Sequence, residues 1–220
     1  MEAGWLPDDM EKEGVRKLNF LLLMSALMGI ANNHYSQFSV ADYDKIPMND
    51  DKMFDVLIRC VLRNVNGFKG MIDLGINRTE FAIHGTKNYY SIGQVEDIGD
   101  LSAHFGFRTV NEPDLFMQPG KIHPDTLTYL DEAEKLNYDL LLSQGYLFVK
   151  SKELPKTAYF EMPMNLVKDD FTEQEAKIDF ESHANFLLTD AQGKIKYLVL
   201  NGFLLSPGLV SDDVNGQIIR

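Results

Sequence analysis

From Phe20 to Ala31 the chain reads Phe-Leu-Leu-Leu-Met-Ser-Ala-Leu-Met-Gly-Ile-Ala, without a charged residue. Ahead of this run, Pro7 is followed by Asp8, Asp9, Glu11 and Glu13. That is the form of a helix start, with proline near the first helical position and carboxylates at the positive end of the dipole. The pattern predicts a helix to about Ile30, ended by Asn32-Asn33. Its second half is apolar on nearly every side, as expected of a helix packed in the middle of a fold. Ser25 and Gly29, small and four apart, would admit a close neighbour. A second helix is predicted from Asn49 as N-cap, with Asp50 and Asp51 in its first turn. Met53, Val56, Leu57, Cys60 and Val61 follow the 3.6-residue period, and Asn66-Gly67 stops it.

The period then changes. Ile72, Leu74 and Ile76 alternate, as do Phe81 and Ile83, then Tyr90 and Ile92, with turn residues between them. Three short strands in a meander are expected. Glu96, Asp97 and Asp100 open a short helix ending at Gly106. Residues 107–123, with Pro113 and Pro119, read as an irregular connection. A third helix is expected over about 125–143, with Leu127, Leu130, Ala133, Asn137 and Leu141 on one face and Gly145 as its stop. Beyond it the pattern is mostly β. Tyr146–Val149 and Ala158–Met162 read as strands, with a polar, acidic turn or short helix between Asp169 and Glu175. A long hairpin follows over about 177–206, turning at Asp190-Ala191-Gln192-Gly193. No internal repeat is evident. The fold class is therefore α+β: an N-terminal, mostly helical part with a small antiparallel meander, then a β-rich C-terminal part. A single domain over 1–220 is expected, any sub-division falling between 1–144 and 145–220.

Charge changes this picture more than composition does. The chain carries 33 acidic and 21 basic residues, a formal charge of −12, spread over its whole length. Such a surface repels nucleic acid and anionic membranes and steers basic proteins toward itself. Carboxylate pairs recur at Asp8/Asp9, Asp42/Asp44, Asp50/Asp51, Glu96/Asp97, Asp131/Glu132, Asp169/Asp170 and Asp212/Asp213. Four of these seven fall at predicted helix starts, where capping accounts for them, and none matches a calcium loop. The apolar run of Phe20–Ala31 is too short to span a bilayer, which takes about 20 residues. The residues before it are net acidic, unlike a secretory leader. A cytoplasmic protein is expected.

Candidate chemistry is sparse. The histidines His34, His84, His104, His123 and His183 show no HxH, HxxxH or HExxH spacing, so no metal site is expected. Cys60 stands alone, which excludes an internal disulfide and CxxC zinc sites; inside a helix it reads as a buried structural thiol. There is no GxSxG elbow, no P-loop and no GxGxxG, and no cofactor is expected. His84 beside a turn, His104 and His123 are the candidates for a catalytic base. Tyr89 and Tyr90 point to opposite faces of a strand and, with Asp169 and Asp170, are the candidates for binding. These features favour a non-catalytic, cytosolic interaction module, such as an immunity or inhibitor protein for a basic partner. A small hydrolase-type enzyme with a histidine/carboxylate site assembled from loops is the alternative. A subunit of a larger phage or secretion assembly is the third reading. No nucleic acid or membrane is expected as a partner.

Overall fold

The computed structural model describes residues 12–46, 53–65, 68–86, 88–208 and 214–220. The expected helix start at Pro7–Glu11, the cap at Asn49–Asp51, the Asn66-Gly67 stop and the Asp212/Asp213 pair lie outside them. The chain divides into two compact units, Met1–Asp50 with Phe81–Tyr89, and Asp51–Glu80 with Tyr90–Arg220.

In the first unit, α1 covers Glu13–Ala31, closed by Asn32 N donating to Met28 O (2.9 Å) and Asn33 N to Ile30 O (3.1 Å). Asn33 adopts a left-handed φ of 58° and leads into a 3-10 turn, His34–Gln37. A short α2, Val40–Tyr43, carries a capping box in which Ser39 and Asp42 each satisfy the other's backbone N–H. Burial contradicts the expectation for α1: Val15 is its buried residue, and Phe20 is 61 % and Ile30 64 % exposed.

The second unit is β-rich. Its strands are β1 Met53–Val65, β2 Phe68–Ala82, β3 Tyr89–Gly99, β4 Phe105–Val110, β5 Phe116–Pro119, β6 Lys121–Leu127, β7 Tyr146–Ser151, β8 Tyr159–Phe160, β9 Asn165–Lys168, β10 Phe186–Thr189, β11 Ile195–Leu200, β12 Phe203–Leu205 and β13 Gly216–Ile219. One sheet runs in the order β12-β11-β10-β5-β1-β2-β3, with β4 also on β1; the other runs β6-β7-β9-β13-β8. Hydrogen bonds from Val95 N to Ser182 O (2.9 Å) and Ala184 N to Gly93 O (3.0 Å) curl β3 back toward the approach to β10. Gly145 lies inside this unit, between β6 and β7, which pair in parallel.

The layering explains the apolar runs. Phe186, Leu188 and Val199 enter a core with Val56, Ile58, Leu74, Ile76 and Val95. Their neighbours Leu187, Leu198 and Leu200 enter a second core with Phe148, Val167 and Phe171. Strands buried on both faces read as continuous hydrophobic runs, not as alternation. The far face of the smaller sheet is covered by Leu130–Lys135, a 3-10 turn, and by α3, Tyr138–Ser143. Leu127, Ala133 and Leu141 pack there on Val149, Leu166 and Ile218.

Several expected elements are corrected. The second helix is strand β1. A bulge between Ile58 and Val61, with Cys60 at φ 53°, brings Val56, Ile58 and Val61 to one core. A spacing of two and then three residues imitates a helical period. Cys60 is consequently exposed and not a buried helical thiol. The bulge is held by Asp73, which accepts from Cys60 N (2.8 Å), Leu101 N (3.2 Å) and Arg59 Nη1 (3.0 Å). In place of the three-stranded meander stand the long β2 and β3, and in place of the helix before Gly106 lie the end of β3 and the start of β4. The connection over 107–123 contains β5 and parts of β4 and β6. The third helix is shared among β6, the 3-10 turn and α3, broken where Leu136 turns extended and Asn137 caps α3 through Leu140 N (3.1 Å). The hairpin over 177–206 is shorter and doubled. Residues 177–185 form no strand, and β10 turns through 190–193 into β11. Asn201 and Gly202, both at positive φ, then turn β11 into β12.

Candidate functional site

The side chains that tie the β-rich unit together are asparagines at or just before the start of strands: Asn165, Asn185, Asn201 and Asn215. Asn165 Nδ2 donates to Leu147 O (3.1 Å) and Asn185 Oδ1 (2.8 Å), and Asn185 Nδ2 donates to Gln217 Oε1 (3.1 Å). Asn201 N donates to Asn185 Oδ1 (2.7 Å), and Asn201 Nδ2 reaches Ser91 O (2.7 Å) and Asn215 O (3.0 Å). This seam is a structural element: its asparagine amides hydrogen-bond one another and backbone, while the buried Gln217 Nε2 has no partner among the described residues and Asn185 also lines the cavity that holds His183.

Cavities also open among the described residues of this unit. One, about 360 Å³, lies between the turn Leu130–Lys135 and the segment 155–162. Leu130, Ala133, Pro155, Phe160 and Met162 supply its apolar lining, and Asp131, Glu134 and Glu161 its charge; no cation lines it. All three carboxylates are in exposed residues. Both walls are pinned. Glu132 Oε2 accepts from Thr128 N (2.8 Å) and Tyr138 Oη donates to Ala133 O (2.7 Å), which fixes the acidic turn. On the other side Arg220 Nη2 donates to Pro155 O (2.6 Å) and Thr157 O (2.9 Å), so this nearby cation is committed to the wall. Tyr159, also lining the cleft, stacks on Tyr90 with centroids 4.5 Å apart.

Burial, with the Glu134 charge beside it, pushes the Tyr138 phenol up to about 12. Its folded value thus lies above its unfolded value near 10. The resulting stabilisation is whole below pH 10 and is lost as pH rises through about 12. A phenolate difference titration of wild type against Tyr138→Phe is expected to show one tyrosine ionising near 12; an ordinary value near 10 for that group would contradict the buried wall.

A second cavity, about 300 Å³, is lined by Arg63, Asn64, Lys177 and Asp179, with Arg63 Nη2 donating to Ile178 O (2.6 Å). A third, about 120 Å³, holds His183 with Glu175, Glu181 and Ser182. Desolvation lowers the His183 pKa. Glu175 is engaged by Thr172, and Ser182 by Asp179, so no histidine–carboxylate hydrogen bond forms there among the described residues.

No family model, curated protein or solved structure matches the chain.

The residues that the sequence offers as candidates fall in separate places. His84 is exposed on a turn closed by Thr86 N to Ile83 O (3.1 Å). His104 stacks on Phe54 at 5.4 Å, and its Nδ1 is buried without a partner among the described residues. His123 accepts from Asp125 N (3.2 Å) and meets Tyr146 edge-on at 5.6 Å. None of these rings hydrogen-bonds a carboxylate among the described residues. Asp169 and Asp170 sit exposed in the turn after β9, with Asp170 3.9 Å from Lys168. Tyr89 and Tyr90 are both half-buried, and Tyr90 reaches the acidic cleft through Tyr159. No three His, Cys, Asp or Glu side chains gather to hold a metal ion among the described residues. In the sequence Asp131/Glu132 is one of seven carboxylate pairs, inside the helix expected over about 125–143; the cleft itself joins segments separated by the 20 residues 135–154 and left no local signal.

Proposed function

We propose that the protein is a non-catalytic interaction module that takes a basic segment of a partner protein into the cleft between Leu130–Glu134 and Pro155–Met162. The observation that carries this reading is the pairing of an apolar floor with Asp131, Glu134 and Glu161 and no lining cation. An arginine or lysine suits such a site because its aliphatic stem covers apolar surface while its head stays at the charged rim. The volume of about 360 Å³ admits one or two side chains and not a folded domain. The overall charge of −12 would speed the encounter with a basic partner, in a salt-dependent way. An immunity or inhibitor protein directed at a basic partner is the class that fits this arrangement.

A fluorescent peptide alternating leucine with arginine serves as the probe. Neutralising the rim by Asp131→Asn, Glu134→Gln and Glu161→Gln is expected to weaken its binding by about tenfold to a hundredfold at low salt. In about 0.5 M salt the difference should shrink, because exposed charges are then screened within a few Å. Equal affinity of both proteins at low salt, with unchanged circular dichroism, would remove the cleft from the proposal.

A further inference from the structure

The apolar side chains of α1 are distributed all round it. At 100° per residue, Phe20, Met28, Leu18, Leu22, Ile30 and Leu27 take up positions through the full circle. Each is at least 56 % exposed. A helix of a soluble core would bury such a surface, and a surface helix would confine it to one stripe. By length and composition α1 is apolar enough to enter a membrane. Its uncharged part, Leu18–Ala31, is nevertheless only about 21 Å long, short of a hydrocarbon core of about 30 Å. An exposed apolar run of this length has the dimensions of the hydrophobic region of an export signal.

The flanks agree. Lys12, Arg16 and Lys17 precede the run, whereas Lys45 is the first basic residue after it. Orientation in a bilayer follows lysines and arginines, to which acidic residues contribute little. Glu13 and the carboxylates before it therefore do not cancel this bias, although they made the segment look unlike a leader. At the other end Gly29-Ile30-Ala31 presents a small residue, any residue, then a small residue, the form that signal peptidases cut. The helix ends there, and Asn33 turns the backbone away at φ 58°.

We propose that α1 is an export signal that enters a lipid bilayer with Arg16 and Lys17 on the cytoplasmic side, and that a signal peptidase hydrolyses the Ala31–Asn32 bond. Water adds across that peptide bond, leaving a carboxylate on Ala31 and an amine on Asn32. The β-rich unit is thereby delivered beyond the membrane, where the cytosolic expectation does not place it. This inference is independent of the cleft and of any partner.

The test is expression of the full chain with a C-terminal tag in a bacterium with intact export machinery, followed by fractionation and intact mass. The expected product begins at Asn32 and lies outside the cytoplasm. The double variant Leu22→Arg, Leu23→Arg is expected to stay uncut in the cytoplasm, and Ala31→Phe to stay uncut in the membrane fraction. A wild-type chain recovered uncut, whether soluble in the cytoplasm or held in the membrane, would overturn the proposal.

Discussion

Asn201→Ala is expected to destabilise the β-rich unit by about 4 kcal/mol, a large share of the ~5–15 kcal/mol that holds a typical domain together. Asn201 is fully buried. Its Oδ1 accepts from Gly93 N at 2.7 Å, and its Nδ2 donates to Ser91 O and Asn215 O. Alanine would leave one buried donor and the acceptors it served without that partner, at about 1–3 kcal/mol for each group left unsatisfied. Asn201 also holds a left-handed φ of 49°, which asparagine tolerates better than alanine by roughly 1 kcal/mol. Asn201→Gly separates the two contributions, since glycine keeps the backbone geometry and loses the amide. Urea unfolding followed by fluorescence gives both values. A loss below about 1 kcal/mol for Asn201→Ala would mean that the seam does not carry the fold.

A larger effect is expected for Gly216→Ala. A Cβ at Gly216 would lie 1.8 Å from the carbonyl oxygen of Met164. That oxygen belongs to backbone, so no side-chain rotation relieves the overlap. Gly216 N also donates to Met162 O at 2.8 Å, which holds the two segments at this separation. Separating them would break the pairing of β13 with β9 and β8, and a cost above about 4 kcal/mol follows. Gly70→Ala is the control, since a Cβ there meets nothing within 4 Å. The expected outcome is that Gly216→Ala fails to accumulate as folded protein while Gly70→Ala does. A Gly216→Ala protein melting within about 2 °C of wild type would refute the close approach.

Local rules could be read where one local force decides. The apolar run of α1, the strand after Gly145 and the turn at Asp190–Gly193 follow from periodicity, from a terminating glycine and from an Asp side chain that accepts from Gln192 N and Lys194 N. The same rules mislead at β1, where a bulge fixed by Asp73 changes the phase of burial. Over 125–143 the apolar positions are those the helical pattern picks out, and Leu127, Ala133 and Leu141 do share a core. The backbone between them is not one helix, because burial constrains where side chains point and not how the chain connects them. At Asn201-Gly202 a hairpin signal stood in the sequence, hidden inside what reads as one continuous strand.

The candidate site is less legible still. Asp131 and Glu134 stand on one wall, Glu161 and Tyr159 on the other, and neither segment carries a motif. Tyr90 stands out in the sequence as half of an aromatic pair, but its place behind the cleft depends on a ring 69 positions away.

By itself, then, the sequence determines an acidic chain, an uninterrupted apolar run with Arg16 and Lys17 ahead of it and no lysine or arginine after it until Lys45, and an α+β composition with most strands after Gly67. These are properties of neighbouring residues or of sums over the whole chain. Tertiary structure decides that α1 is exposed, that Cys60 lies on a bulge, that four asparagines join into one seam and that three carboxylates surround one apolar cleft. Each of these depends on contacts between residues far apart in the chain, and the energy of such contacts is set by packing that no local period records.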